Sequence, residues 1–210
     1  MKFSKAFFVA GIIGPLVTII LTVTDTFISP WFSWTQNALS DLGVNRYSYL
    51  FNYSLIFEGV MNFLFALGLM NFYGLKKLTV VSLIISGLSL SMVGIFVETY
   101  HPFHLVFALV YFILFPLAII MFSREIGREH PIQSRTGYAL SAASLVTIII
   151  GVAVAFGFIG NASIGLAIPE MVEAVLLGGW SVYIGSWSLT MGSQSGASNP
   201  LQETEARAHQ

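Results

Sequence analysis

Apolar residues run along this chain in six long blocks, at roughly 6–26, 53–75, 78–98, 104–123, 137–159 and 169–189, with polar stretches between them. Crossing the hydrocarbon core of a bilayer as a helix takes about 20 apolar residues, and every block is long enough. None carries a Lys or Arg in its interior. The pattern predicts an all-α fold: a polytopic membrane protein whose six-transmembrane-helix bundle fills 1–190. The remainder, 191–210, is rich in Ser, Gly, Glu and Ala and is expected to be a disordered tail. Met1-Lys2 and Lys5 ahead of the first block resemble a secretory signal, but no small-x-small site follows before the polar Thr24-Asp25. A retained first span is expected; cleavage near Ser29 would instead leave five spans.

The stretch 27–52 is the longest polar connection and differs from a plain linker. Its Trp31, Phe32, Trp34, Tyr47, Tyr49 and Phe51 are residues that settle at headgroup depth. Within it, 35–43 predicts a short helix capped by Thr35 and ended by Gly43 in the left-handed conformation. The fifth block carries Ala139, Ala143, Thr147, Gly151 and Ala155 at four-residue spacing, a stripe expected to pack closely against a neighbouring helix.

Composition agrees with membrane residence. Mean hydropathy is +0.81, and 9% of residues are charged, against about 25% in a globular protein. A formal net charge of −1 without a basic stripe gives nucleic acid nothing to bind. The absence of cysteine excludes disulfides, thiolate metal sites and a cysteine nucleophile.

The placement of charge carries more than its total. Lys2, Lys5, Lys76, Lys77, Arg124, Arg128, Arg135 and Arg207 all fall at one side of the six-span threading. Cytoplasmic loops retain Lys and Arg, so both termini are expected in the cytoplasm and the chain in the plasma membrane as a multi-pass protein. Asp25, Asp41, Glu58, Glu98, His101, His104, Glu170 and Glu173 fall at the other side, joined by Arg46 alone among the basic residues.

Carboxylates at or below a bilayer surface are costly, so these call for a role. Glu58 is expected about 8 Å inside the second span at ~1.5 Å per residue, with Asn62 one turn below on the same face. Pro169 suits a first helical position. Glu170 is then explained by the dipole of the sixth helix, while Glu173 lies deeper. Asp25 is expected as an interfacial stop. Glu98 precedes His101-Pro102-Phe103-His104, where His101 would cap the fourth helix and His104 sit in its first turn. Two such histidines suit one divalent metal, the sole cofactor in view. Ser40 beside Asp41 raises a nucleophile question, but no Gly-x-Ser-x-Gly turn exists, and Ser40 would need His101 or His104 as base.

The run Asn37-Ala38-Leu39-Ser40-Asp41-Leu42-Gly43, then Leu50-Phe51-Asn52 and Gly59, then Gly94-Ile95-Phe96 through His101 and His104 to Pro116, resembles a prokaryotic family. It is the family of six-helix membrane proteins known as domain of unknown function 998. A further likeness, carried by Ser40-Asp41-Leu42-Gly43 and the histidines, is to eukaryotic six-helix proteins of the Frag, DRAM and Sfk type. Those are associated with GPI-anchor lipid remodelling and with lipid distribution, which implies lipid-related work at one leaflet.

The expected function is therefore an outer-leaflet polar pocket that binds or modifies a lipid headgroup. Asp41, His101 and His104 would be its catalytic residues, Glu58, Asn62, Glu98 and Glu173 its ligand-binding ones, and a membrane lipid its partner. As an enzyme it would be a membrane hydrolase or acyl transferase. The rival reading is a non-catalytic scaffold or partner subunit. A small transporter comes third, because the inner half of every span lacks acids and histidines. Oligomeric state is not legible.

Overall fold

The computed structural model describes residues 2–159 and 164–197. These form six long helices: α1 (Lys2–Ile28), α2 (Ser48–Tyr73), α3 (Lys77–Ile95), α4 (His101–Ile126), α5 (Pro131–Ala155) and α6 (Ala167–Ala197). A 3₁₀ helix at Leu39–Val44, called the roof helix below, lies between α1 and α2, and a 3₁₀ turn at Glu98–Tyr100 leads into α4. All six long helices are apolar and long enough to cross a membrane. The chain is an all-α, six-helix membrane protein.

Neighbours in sequence are neighbours in space, and α6 closes the ring by packing on α1. Small residues permit the tightest of these contacts. A Cβ on Gly59 of α2 would collide with the Gly87 carbonyl of α3, so the α2–α3 crossing leaves no room for a side chain there. Trp180 of α6, fully buried, meets Phe65, Phe115 and Phe122 edge-on and joins α2, α4 and α6 across the middle. Helix α2 stops at Gly74, which adopts φ 60° and returns its N–H to the Met70 carbonyl. The start of α3 is capped from another helix: Glu125 of α4 accepts from the Lys76 N–H at 2.7 Å and from the Thr79 hydroxyl. This satisfies donors that a helix start leaves without partners.

Antiparallel alternation collects Lys76, Lys77, Arg124, Arg128 and Arg135 at one end, with the N-terminus. Arg207 lies outside the described residues. We refer to the basic end and, opposite, the acidic end.

Three expectations need revision. Helix α6 runs to Ala197, past the point where a tail was expected to begin, while 198–210 lie outside the described residues. Of the five-residue stripe, Ala139, Ala143 and Ala155 are exposed, whereas Thr147 and Gly151 are half-buried and Gly151 approaches Pro169 of α6; the face that α5 buries is Ser134, Gly137, Ser141 and Ser144. Moving two positions along a helix turns to nearly the opposite face, so four-residue spacing marks a stripe without saying which way it points. The predicted helix at 35–43 is the shorter roof helix, with Ala38 rather than Thr35 at its N-cap, and Gly43 has no positive φ. Ser33 takes the N–H groups of Gln36 and Asn37 in a turn, and Asp41 takes that of Ala38, so local bonds displace an α-helical start.

Candidate functional site

The acidic end of the bundle is closed by the roof helix. Its Leu39 and Leu42 are buried, Leu42 completely, like stoppers between the helix ends. Asp41 holds the helix in shape: its carboxylate accepts from Asn37 Nδ2 at 2.8 Å and from the Ala38 N–H at 3.0 Å. Asn52 of α2 donates to the Gly43 carbonyl at 2.8 Å, and the same amide fills the space where a Gly43 side chain would be. The segment before α6 is stitched to the loop by the Gly165 N–H on Thr35 O and the Ala167 N–H on Asn37 O, at 2.8 and 2.9 Å. Glu170 completes the seam by accepting the Leu39 N–H at 2.5 Å.

Beneath the roof lies a cavity of about 80 Å³. Its polar wall is Thr18 and Thr22 of α1, Ser40 of the roof, Glu58 of α2, His104 and Tyr111 of α4, and Glu170 of α6. Phe51, Phe112 and Leu90 supply apolar faces. No Lys or Arg lines it. Glu58 is buried, with the Thr18 hydroxyl beside its carboxyl group. Buried Tyr111 stands close to both Glu58 and Glu173. His104 donates Nδ1–H to the Phe96 carbonyl at 2.8 Å, which fixes the ring and leaves Nε2 as the ring atom available to a ligand.

A second concavity, about 250 Å³, opens sideways between α4, α5 and α6. Leu105, Leu109, Ile148 and Val152 make its walls almost wholly apolar, and it too is lined by no Lys or Arg. Its one deep polar group is Glu173, buried to 3% exposure. Ser144 of α5 donates to Glu173 Oε2 at 2.6 Å, and Oε1 has no partner. Ala108, Phe112 and Glu170 line both spaces, so the cavity and the groove share a wall.

The family described as "Protein of unknown function (DUF998)" matches residues 12–187. The chain belongs to that family. No curated protein and no solved structure matches the chain, so the likeness to the eukaryotic lipid-remodelling proteins gains no support.

The residues singled out in the sequence thus divide. Glu58 and His104 meet at the cavity, with Glu173 one wall away. Asn62 is buried a turn below Glu58, off the cavity wall, with neither amide atom partnered. Asp41, Glu98 and His101 form a separate group near the surface: Glu98 lies within hydrogen-bond reach of the Asp41 carboxyl and the Ser40 hydroxyl, with His101 nearby and exposed. His101 and His104 therefore face different surroundings. Among the described residues, Asp41, Glu98 and His101 included, no three His, Asp or Glu side chains converge closely enough to hold one metal ion. His101 is the first residue of α4 rather than its cap, which is Tyr100.

Two acids do more than the sequence suggested. Asp25, near the end of the first span, is 1% exposed, accepts from Ser29 at 3.2 Å, and leaves Oδ2 without a partner. Glu170 does more than answer a helix dipole, because its carboxylate caps the roof from another element. Sequence reasoning also passed over Thr18, Thr22, Tyr111 and Ser144. Thr18, Thr22, Asp25 and Thr26 follow helical spacing on the buried side of α1, and Ser29 continues it just past the helix end, a signal present in the sequence.

Proposed function

We infer that this protein binds a membrane amphiphile, holding its head in the cavity under the roof helix and its chain in the groove between α4, α5 and α6. One observation carries the reading. The cavity under the roof helix, where acids and hydroxyls stand among apolar side chains and Leu39 forms part of the cover, shares Ala108, Phe112 and Glu170 with an apolar groove between α4, α5 and α6. A ligand that enters from the bilayer, with a polar end and an apolar end, fits both spaces at once. The basic end is taken to face the cytoplasm, which sets the site in the outer leaflet of the plasma membrane.

Binding is favoured over catalysis. Asp41 is engaged by Asn37 and the Ala38 N–H, and Ser40 has Glu98 rather than a histidine beside it. A nucleophile and its base need mutual hydrogen-bond reach. These capping roles are also what the scaffold reading predicts for Asp41, but that reading leaves the cavity without a purpose.

The test is the lipid content of the purified protein. Ala108→Trp should fill the shared wall and strip the amphiphile that copurifies with the wild type. Leu88→Trp, on the exposed face of α3, should retain it. An identical set of lipids released by all three proteins would remove the proposal.

A further inference from the structure

The geometry points to a protonated amine as the head of that amphiphile, and against a phosphate or carboxylate. The inference rests on the binding reading above and deepens it to a ligand class. Three carboxyl groups, Glu58, Glu170 and Glu173, line the cavity and the adjoining groove, and neither space has a Lys or Arg on its wall. The one basic residue in the loops of the acidic end, Arg46, is exposed and stacks on the Tyr47 ring at 5.7 Å. Apart from the His104 ring, an anionic head would therefore meet no counter-charge on either wall and would face three acids, in a medium where screening is weak. Buried charge is tolerated when it is paired, and an incoming ammonium supplies the pairing that the chain does not.

Acceptors fit the same ligand. Glu173 Oε1 is buried without any donor, so one hydrogen-bond position stands open beside the groove. Pro116 has no N–H and so leaves the carbonyl of Phe112, a residue of the shared wall, without its helical donor. Phe51, Tyr111 and Phe112 present aromatic surface to the cavity, and aromatic faces attract alkylammonium groups. The chain beyond the amine would continue past Ala108 into the groove.

The experiment measures binding to protein in zwitterionic nanodiscs, read by native mass spectrometry, with dodecylamine, dodecanol, dodecyl phosphate and butylamine as probes. Dodecylamine should bind about tenfold or more tighter than dodecanol, as expected for a charge-assisted hydrogen bond, and dodecyl phosphate should bind weakest. Glu58→Gln should abolish the preference for amine over alcohol while leaving dodecanol binding unchanged. Glu173→Gln, which keeps an oxygen for Ser144, should reduce that preference and serves if Glu58→Gln does not fold. Equal binding of dodecylamine and dodecanol to the wild type would overturn the amine assignment and leave the amphiphile reading standing. If butylamine binds as tightly as dodecylamine, the chain contributes nothing and the amphiphile reading falls. Tightest binding by dodecyl phosphate would overturn the charge argument outright.

Discussion

At the scale of single residues, the acids of this chain separate by what their oxygens already do. Asp41 is a capping residue, and replacing a cap by Ala costs about 1 kcal/mol. Asp41→Ala should lower the thermal unfolding midpoint. Asp41→Asn, which keeps an acceptor oxygen, should stay close to wild type in both stability and ligand content. Loss of function in a stable Asp41→Asn protein would return Asp41 to a chemical role. Glu173 gives a sharper test through its single donor. Ser144→Ala would leave both of its oxygens unpartnered and should destabilise by about 1–3 kcal/mol. In the double variant Ser144→Ala/Glu173→Leu most of that loss should disappear, a coupling that a double-mutant cycle measures. The sequence disclosed that Glu58 and Glu173 lie below the surface, because depth along a helix follows from counting. It did not disclose that Asp41 and Glu170 cap the roof helix, since those bonds depend on how a loop folds over distant helix ends. The 131 positions between Leu39 and Glu170 show the reach involved.

At the scale of elements, the six long helices were legible because lipid imposes length and apolarity on each of them. Their ends were less so: Pro102 and Pro169 suggested helix starts within a few residues, yet α4 begins at His101 and α6 at Ala167. Facing was the hardest part. The side of a helix on which apolar residues gather tells little when lipid and protein interior are equally apolar. For that reason the exposed alanines of the α5 stripe misled, while the buried Ser134–Gly137–Ser141–Ser144 face was overlooked. The polar stripe on α1 shows that small hydroxyl-bearing residues are the better guide to the inward face. Glycine substitutions test the packing directly. Gly59→Ala sets a methyl group against the α3 backbone and should cost about 1–3 kcal/mol. Gly179→Ala, with nothing within 4 Å of the new carbon, should be neutral or stabilising by up to about 1 kcal/mol. Unfolding midpoints in one detergent compare the two.

At the scale of the whole molecule, the segregation of charge between two ends survives folding intact and makes orientation testable. The chain has no cysteine, so single cysteines report without background. Arg46→Cys should react with a membrane-impermeant maleimide on intact cells, and Arg128→Cys only after the cells are opened. The opposite pattern would invert the topology and move the roofed cavity to the inner leaflet.

The six helices do not share their burial evenly. Of the apolar window in α3, 61% is buried by the rest of the protein, but only 11% of that in α5. Helix α5 is therefore the span least covered by the rest of the chain, and it forms one wall of the groove. Opening free energies vary across a structure with the contacts each part makes. In detergent, the amides of α5 should exchange with deuterium before those of α2 and α3, and returning the protein to a bilayer should slow α5 most. Stripping lipid during purification would then loosen the side of the site before anything else. A preparation that still looks helical would then fail to hold the proposed amphiphile.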